Sequence, residues 1–147
     1  MDRFQGAANK NIGDAFLLVW KFDDIDIIYE EGEIMVNNQS PAVHKIADLA
    51  FISFLKINVK INRNPICLKY RKHPKLIERM KNYAVKMGYG LHIGWAIEGA
   101  IGSEFKIDAS YLSPNVNMAS RLEAATKQFG VPLLISGELY ELLSPEI

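Results

Sequence analysis

A single cysteine, Cys67, stands in the whole 147-residue chain, so no internal disulfide can form. Cys67 itself reads as a small buried or half-buried hydrophobe. Long apolar runs are also missing. Ala47 to Leu55 is soon broken by Lys56, Asn58 and Lys60, well short of the roughly 20 residues that span a bilayer. No charged-then-apolar leader opens the chain, which predicts a reducing, cytoplasmic setting, compatible with the cytosolic part of a membrane-attached protein. Excess charge of one sign is lacking too. Seventeen Lys plus Arg balance seventeen Asp plus Glu, so no overall field draws the chain to nucleic acid or an anionic membrane. The absence of a Gly-x-x-x-x-Gly-Lys-Ser/Thr loop argues against a P-loop enzyme, and His44, His73 and His92 lack zinc-ligand spacing with one another or with Cys67. Repeats, low-complexity tracts and linkers are absent. What remains is one domain-sized unit, and its 49% hydrophobic content is enough to build a core.

Local patterns divide that unit into elements. Phe4 to Asn9 and the apolar Ala15 to Trp20 read as strands joined by the tight turn Gly13-Asp14, with Asp14 at the hairpin tip. Residues 22–39 hold six acids and no base, and read as a surface excursion with one edge strand around Ile27-Ile28-Tyr29. Ser40-Pro41 supplies an N-cap and a first-turn proline. Val43, Ala47, Ala50, Phe54, Ile57 and Ile61 then mark the apolar face of a long helix ending before Asn64-Pro65. Seven bases between Lys69 and Lys86 predict a solvated helix face complementing the acidic excursion rather than a nucleic-acid surface. Tyr89 to Ile97 alternates as a strand. Gly99 to Gly102 reads as a turn, and Phe105 to Tyr111 as the strand after it. Ser113-Pro114 opens a helix with Met118, Leu122, Ala125 and Phe129 on one face, closed by Gly130. Val131 to Ile135 is a last strand, and Ser136 caps a short helix through Leu143. The order predicts an α+β sandwich, helices packed on a mostly antiparallel sheet.

On local chemistry alone, Asp14 is an ordinary turn aspartate and Arg121 an exposed arginine within reach of Glu123. His92 reads as a satisfied core or sheet histidine, and Trp20 and Trp95 as packing residues. Their company changes the reading. Asn9-Lys10-Asn11-Ile12-Gly13-Asp14-Ala15-Phe16-Leu17-Leu18-Val19-Trp20, then Gly90-Leu91-His92-Ile93-Gly94 through Gly102, then Asn115-Val116-Asn117-Met118-Ala119-Ser120-Arg121-Leu122-Glu123 together resemble class III nucleotide cyclases. The resemblance is strongest from Ala8 to Trp20 and from Tyr89 to Ser136.

That resemblance implies a ferredoxin-like, cyclase-type sandwich and conversion of ATP to cyclic AMP and pyrophosphate in cyclic-nucleotide signalling. It implies two Mg²⁺ or Mn²⁺ ions, with Asp14 as the second of two metal-bridging aspartates. Asn117 matches the asparagine that orients the ribose, and Arg121 the arginine that stabilises the pentavalent phosphate. Lys10 matches the adenine-reading lysine, pointing to ATP over GTP. Ser110, seven residues before Asn117, holds the second base-reading position, where aspartate or threonine is common. Asp108 reads as a structural or turn contact outside this pair. The site is expected between two catalytic domains, as a homodimer or heterodimer. Two departures accompany the matches: no first metal aspartate precedes the hairpin, because Asp2 stands too near it, and the family's last strands and their triphosphate lysine have no counterpart before Ile147. The expectation is a partial catalytic domain over residues 1–147 with its opening strand missing, inactive alone. The alternative is a non-catalytic cyclase-like subunit that binds nucleotide or a homologous domain. An RNA-binding sheet is disfavoured, because its aromatic strand signature is absent.

Overall fold

The computed structural model describes residues 2–104 and 106–147. Met1 and Phe105, the latter expected to begin a strand, lie outside the described residues.

Strands β1 (Ala7–Ile12) and β2 (Ala15–Val19) form the expected antiparallel hairpin, with Ile12 opposite Ala15. Its two-residue loop puts Gly13 at φ +63°, a backbone region open to glycine at little cost, and leaves Asp14 exposed at the tip. Register shifts between Ala8 and Lys10: Ala8 faces Leu18 and Lys10 faces Leu17, so Asn9 forms a bulge. The acidic excursion contains a second hairpin, β3 (Ile27–Glu30) and β4 (Glu33–Val36), where one edge strand was expected. Glu31 and Gly32 both take positive φ, +49° and +85°, the pattern of a type I′ turn that lets the chain double back.

Helix α1 (Pro41–Arg63) has the predicted bounds, although the Ser40 side chain makes no capping bond. Val43, Ala47 and Ala50 are buried on its inner face, while Phe54, Ile57 and Ile61 flank the core. The basic stretch is two short helices, α2 (Pro65–Tyr70) and α3 (Pro74–Arg79), rather than one face. Each opens on a proline, whose missing N–H is tolerated only in the first turn. Cys67 is half-buried on α2, as expected.

Strand β5 (Tyr89–Leu91) is shorter than the predicted Tyr89 to Ile97, and the glycines expected to turn instead lie inside β6 (Ile97–Ser103). Strand β6 pairs antiparallel with β7 (Lys106–Leu112), Ile97 facing Leu112 and Ser103 facing Lys106. Helix α4 (Pro114–Phe129) is capped by the Ser113 hydroxyl, which accepts from the Asn115 N–H, and ends at Gly130 with φ +67°. Its inner face is only in part the one predicted, Leu122 and Ala125 being half-buried. Met118 and Phe129 are exposed, whereas Thr126 is buried and Ala119, Leu122 and Glu123 back onto Gly90 of β5. Strand β8 (Leu133–Ile135) pairs parallel with β5, and Ser136 caps the short α5 (Gly137–Tyr140).

Among the described residues the ladders are thus three antiparallel pairs and one parallel pair, with helices packed on them. The core is built where α1, β5 and α5 converge: Val43, Ala47, Tyr89, Leu91, Leu139 and Leu142 form one cluster. Trp20 stacks near Phe54, whose ring meets Tyr89 edge-on at 5.5 Å, joining the first hairpin to that cluster. Trp20 is therefore a packing residue, as expected. Burial pushes the Tyr89 phenol above its usual range, and the hydroxyl finds no partner among the described residues.

Candidate nucleotide site

Lys10 and Ser110 are separated by a hundred residues and meet directly: the Lys10 ammonium donates to Ser110 Oγ at 2.5 Å. The bulge at Asn9 contributes to this contact. An extra residue re-aims the side chains beyond it, so Lys10 leaves β1 toward β7 while the Asn9 amide donates to the Ala109 carbonyl at 3.2 Å. Ser110 is buried and Lys10 half-buried, so the pair is an anchored polar contact rather than a chance surface meeting. The Asn9 Oδ1 atom is buried beside it and lacks a partner among the described residues.

Two residues along β7, on the same face as Ser110, Leu112 lines an open cavity of about 400 Å³. Its other walls are Trp95, Ile97, Ser113, Pro114 and Asn117. Alternate residues of a strand stand about 7 Å apart, so the Lys10–Ser110 contact and the Asn117 cavity are neighbours along one strand face. Trp95, expected to be a packing residue, is a wall of this cavity and nearly half-exposed. Arg121 follows Asn117 by four residues on α4, which places the two on nearly the same side of the helix. It is exposed and has no hydrogen bond or ion pair among the described residues, so the pairing with Glu123 that local chemistry alone suggests does not form.

Residues 92–96 are irregular, and side chains at the entrance of α4 take up one of their carbonyls. The Trp95 carbonyl accepts from Ser113 Oγ at 2.6 Å and from Asn115 Nδ2 at 2.9 Å. Asn115 Oδ1 is left to accept from His92 Nε2 at 3.1 Å, which puts the proton of a neutral imidazole on Nε2. His92 Nδ1 is then a buried acceptor without a hydrogen-bond partner, 3.9 Å from Glu138 Oε2. His92 is therefore half-satisfied rather than the satisfied histidine expected. The Glu138 carboxyl is held below its usual range by its own backbone N–H first, then by the Ser136 hydroxyl. Sequence reasoning passed over Asn115. The signal was present: an asparagine two residues after a capping serine can reach back across the helix entrance.

A second tether lies on the exposed side of β6. Lys21 pairs with Glu98, Tyr111 donates to the other Glu98 oxygen at 2.9 Å, and Lys21 stands 5.7 Å from the Tyr111 ring centre. Lys21 holds the Glu98 carboxyl below the usual carboxylate range, with help from Tyr111, and Glu98 in turn raises the Lys21 ammonium. The lowered carboxyl makes Glu98's contribution present above the ordinary carboxylate range and lost as pH falls through its folded value. Lys21's contribution is complete below the ordinary lysine range and lost as pH rises through its raised value. In thermal melts, Glu98→Gln is expected to lower Tm by a degree or so at neutral pH, and that difference should close below about pH 4. A difference unchanged down to pH 2 would mean that the tether contributes nothing through charge.

Asp14 offers an exposed carboxylate with no partner among the described residues. Oxygen donors suit hard divalent cations. Among the described residues, however, no group of three or more His, Cys, Asp or Glu stands close enough to hold an ion. Asp14 alone does not form a metal centre among the described residues. Asp108 lies on β7, and its side chain is outside what is described. No helix among the described residues is long and apolar enough to cross a membrane.

Two solved structures of a bacterial light-regulated adenylyl cyclase share this fold, with TM-scores of 0.61 and 0.63 over 99% and 97% of the chain, each at 24% identity. The chain spans about a third of each, 34% and 33%. Adenylate cyclase of Anabaena cylindrica is 37% identical over 60 residues, 41% of this chain and 12% of that protein. Adenylate cyclase 1 of Rhizobium meliloti (strain 1021) is 37% identical over 49 residues, 33% of this chain and 7% of that protein. The adenylate and guanylate cyclase catalytic domain family matches across residues 1–147, and with the fold just described the chain belongs to that family.

Proposed function

We propose that residues 1–147 are part of a class III catalytic domain that converts ATP to cyclic AMP and pyrophosphate. The observation that carries this reading is the Lys10–Ser110 contact beside the Asn117 cavity, because it gathers a base-reading pair and a ribose-orienting amide along one strand face. In the reaction the ribose 3′-oxygen forms a bond to the α-phosphorus. The bond from that phosphorus to the bridging oxygen breaks, pyrophosphate leaves, and the hydroxyl proton passes to solvent.

Each residue has a chemical task. The Lys10 ammonium donates to a ring nitrogen of adenine, while the Ser110 hydroxyl, able to donate and accept, meets the amino edge. Trp95 and Leu112 supply apolar wall to the cavity, and the Asn117 amide holds the ribose so that its 3′-oxygen faces phosphorus. Arg121 needs no rearrangement of an existing partner to meet the charge that grows on the phosphate, which is the preorganised condition for transition-state stabilisation. A divalent cation, when bound, neutralises phosphate charge and lowers the pKa of the attacking hydroxyl, and Asp14 is the residue here that would contribute a ligand. The working site lies between two catalytic domains, with Asp14 on one and Lys10, Ser110, Asn117 and Arg121 on the other, in a homodimer or heterodimer.

The test is direct. The full native polypeptide is incubated with ATP and Mg²⁺ or Mn²⁺, and cyclic AMP and pyrophosphate are measured together. Equal amounts of the two are expected. ATP binding without turnover would transfer the chain to the alternative reading, a non-catalytic cyclase-like subunit. Substrate choice gives a second check. Lys10→Glu replaces a donor to adenine with an acceptor suited to the guanine amino group, so kcat/KM for ATP should fall about 10- to 100-fold, equivalent to 1–3 kcal/mol of base discrimination. GTP should lose less than ATP. A uniform loss with both nucleotides would remove Lys10 from base reading.

A further inference from the structure

The zero net charge conceals two opposed surfaces. The β3–β4 arm and the loop before it carry Asp23, Asp24, Glu30, Glu31 and Glu33 exposed, with Asp26 the one buried acid of the stretch. Glu30, Glu31 and Glu33 surround an open cavity of about 230 Å³ floored by Met35. Its chemistry suits a long cationic side chain, the aliphatic stem on the thioether and the charged head among three carboxylates. On α2, α3 and the residue pairs that follow each, Lys69, Lys72, Lys75, Arg79 and Lys81 are all exposed. Among the described residues no ion pair joins this basic face to the acidic arm, so the internal complementarity expected from sequence is not satisfied within one copy.

Both surfaces also expose apolar residues that a solvated face does not need. Ile25 is 89% and Tyr29 72% exposed on the arm, and Ile66 is 64% and Met80 56% exposed on the helical face. Charge alone would leave each surface a simple solubilising patch. Large apolar side chains set among charges of one sign, on two surfaces of opposite sign, are the composition of an interface with an apolar centre and a charged rim.

We propose that the acidic β3–β4 arm of one copy seats on the basic α2–α3 face of a second copy of this chain, and that the contact is reciprocal about a two-fold axis. Each chain carries both halves of the complement, so a single two-fold operation satisfies both arms and both helical faces, in a contact additional to the one that forms the nucleotide site. One basic side chain of α2–α3 enters the Glu30–Glu31–Glu33 cavity, while Ile25 and Tyr29 cover Ile66 and Met80. This surface is separate from the Lys10, Ser110, Asn117 and Arg121 positions, so it stands or falls independently of the nucleotide reading.

The full native polypeptide, in equal parts light and isotopically heavy, is treated with a carbodiimide that joins carboxylates to lysines without a spacer. Peptides joining residues 30–33 to residues 69–81 are expected, about half of them pairing light with heavy as random association of two copies requires. Their yield should fall steeply by 1 M salt, where the Debye length shrinks to about 3 Å. Same-isotope products only would mean that an arm folds onto its own helices, and no joined peptide at low salt would leave the two surfaces as solvated faces. Either result overturns the proposal. Charge reversal supplies the second measurement. A variant with Glu30→Lys, Glu31→Lys and Glu33→Lys, and another with Lys69→Glu, Lys72→Glu and Lys75→Glu, should each lose the contact alone and regain it when mixed, because the mixed pair restores opposite charge at both sites. Rescue on mixing requires both variants to be folded. Failure of the mixture to join, with each variant folded by circular dichroism, would also overturn the proposal.

Discussion

Replacing Arg121 by alanine is expected to lower kcat for cyclic AMP formation about 10²- to 10³-fold while changing KM for ATP only a few-fold. The magnitude is that of removing one preorganised donor from a developing oxyanion, about 3 kcal/mol. The partition between kcat and KM follows from where the charge appears. A guanidinium that meets negative charge mainly in the pentavalent state contributes little to ground-state binding. The substitution is clean for two reasons. Arg121 is exposed and unpartnered among the described residues, so nothing in the fold loses a bond, and alanine is the better helix former. Arg121→Lys should recover only part of the loss, because an ammonium lacks the planar fork that engages two phosphate oxygens. Steady-state assays of the native polypeptide at saturating ATP decide the matter. An Arg121→Ala variant within threefold of the parent would remove this residue from the reaction.

The residues that carry this prediction were legible because they lie in short contiguous runs. Asn117 and Arg121 are placed by one helix, whose start is written in Ser113-Pro114 and whose end is written in Gly130. The Gly13-Asp14 hairpin and the bounds of α1 were legible for the same reason, since caps, prolines and two-residue turns act through nearest neighbours. Tertiary determinants were not legible. Asn9 is placed as a bulge by its bond to Ala109, a hundred residues away. The strand predicted through Ile97 stops at Leu91 because its partner β8 ends at Ile135, where Ser136 turns to cap α5, a limit that alternation along residues 89–97 does not reveal. The glycines 99 and 102 misled for a different reason. They look like turn residues, but both lie within the β6–β7 ladder, Gly99 opposite Ser110 and Gly102 opposite Ile107. The inner face of α4 was only half placed, at Leu122 and Ala125, because it is selected by the strand it packs against. Met118 and Phe129 satisfy the helical period, yet the residues facing β5 are the ones that tolerate a very close backbone.

That close approach makes the largest stability effect in the chain a matter of one methyl group. A Cβ added to Gly90 would stand 2.2 Å from the Ala119 carbonyl oxygen, 2.4 Å from the Glu123 nitrogen and 3.0 Å from the Leu122 carbonyl carbon. All three are backbone atoms of α4, so no side-chain rotation relieves the clash, and the helix must move off the strand as a unit. Overpacking of a rigid contact typically costs about 1–3 kcal/mol, and a clash with three backbone atoms of one helix belongs at the upper end. Gly90→Ala is therefore expected to lose about 3 kcal/mol, a fall in Tm of roughly 10 °C for a chain of this length. Gly99→Ala is the matched control. A Cβ there meets nothing within 4 Å, so its melt should stay within a degree or two of the parent. Denaturant titration or calorimetry of the two variants side by side makes the comparison, and equal stabilities would show that α4 does not rest against β5 as described. The displacement has a chemical consequence as well. Asn117 and Arg121 ride on α4, whereas Ser110 rides on β7, so a helix pushed outward separates ribose and phosphate contacts from the base contact. Activity in Gly90→Ala should then fall even at temperatures where the variant remains folded, because a shift near 1 Å in a positioned group can cost on the order of 10²-fold in rate.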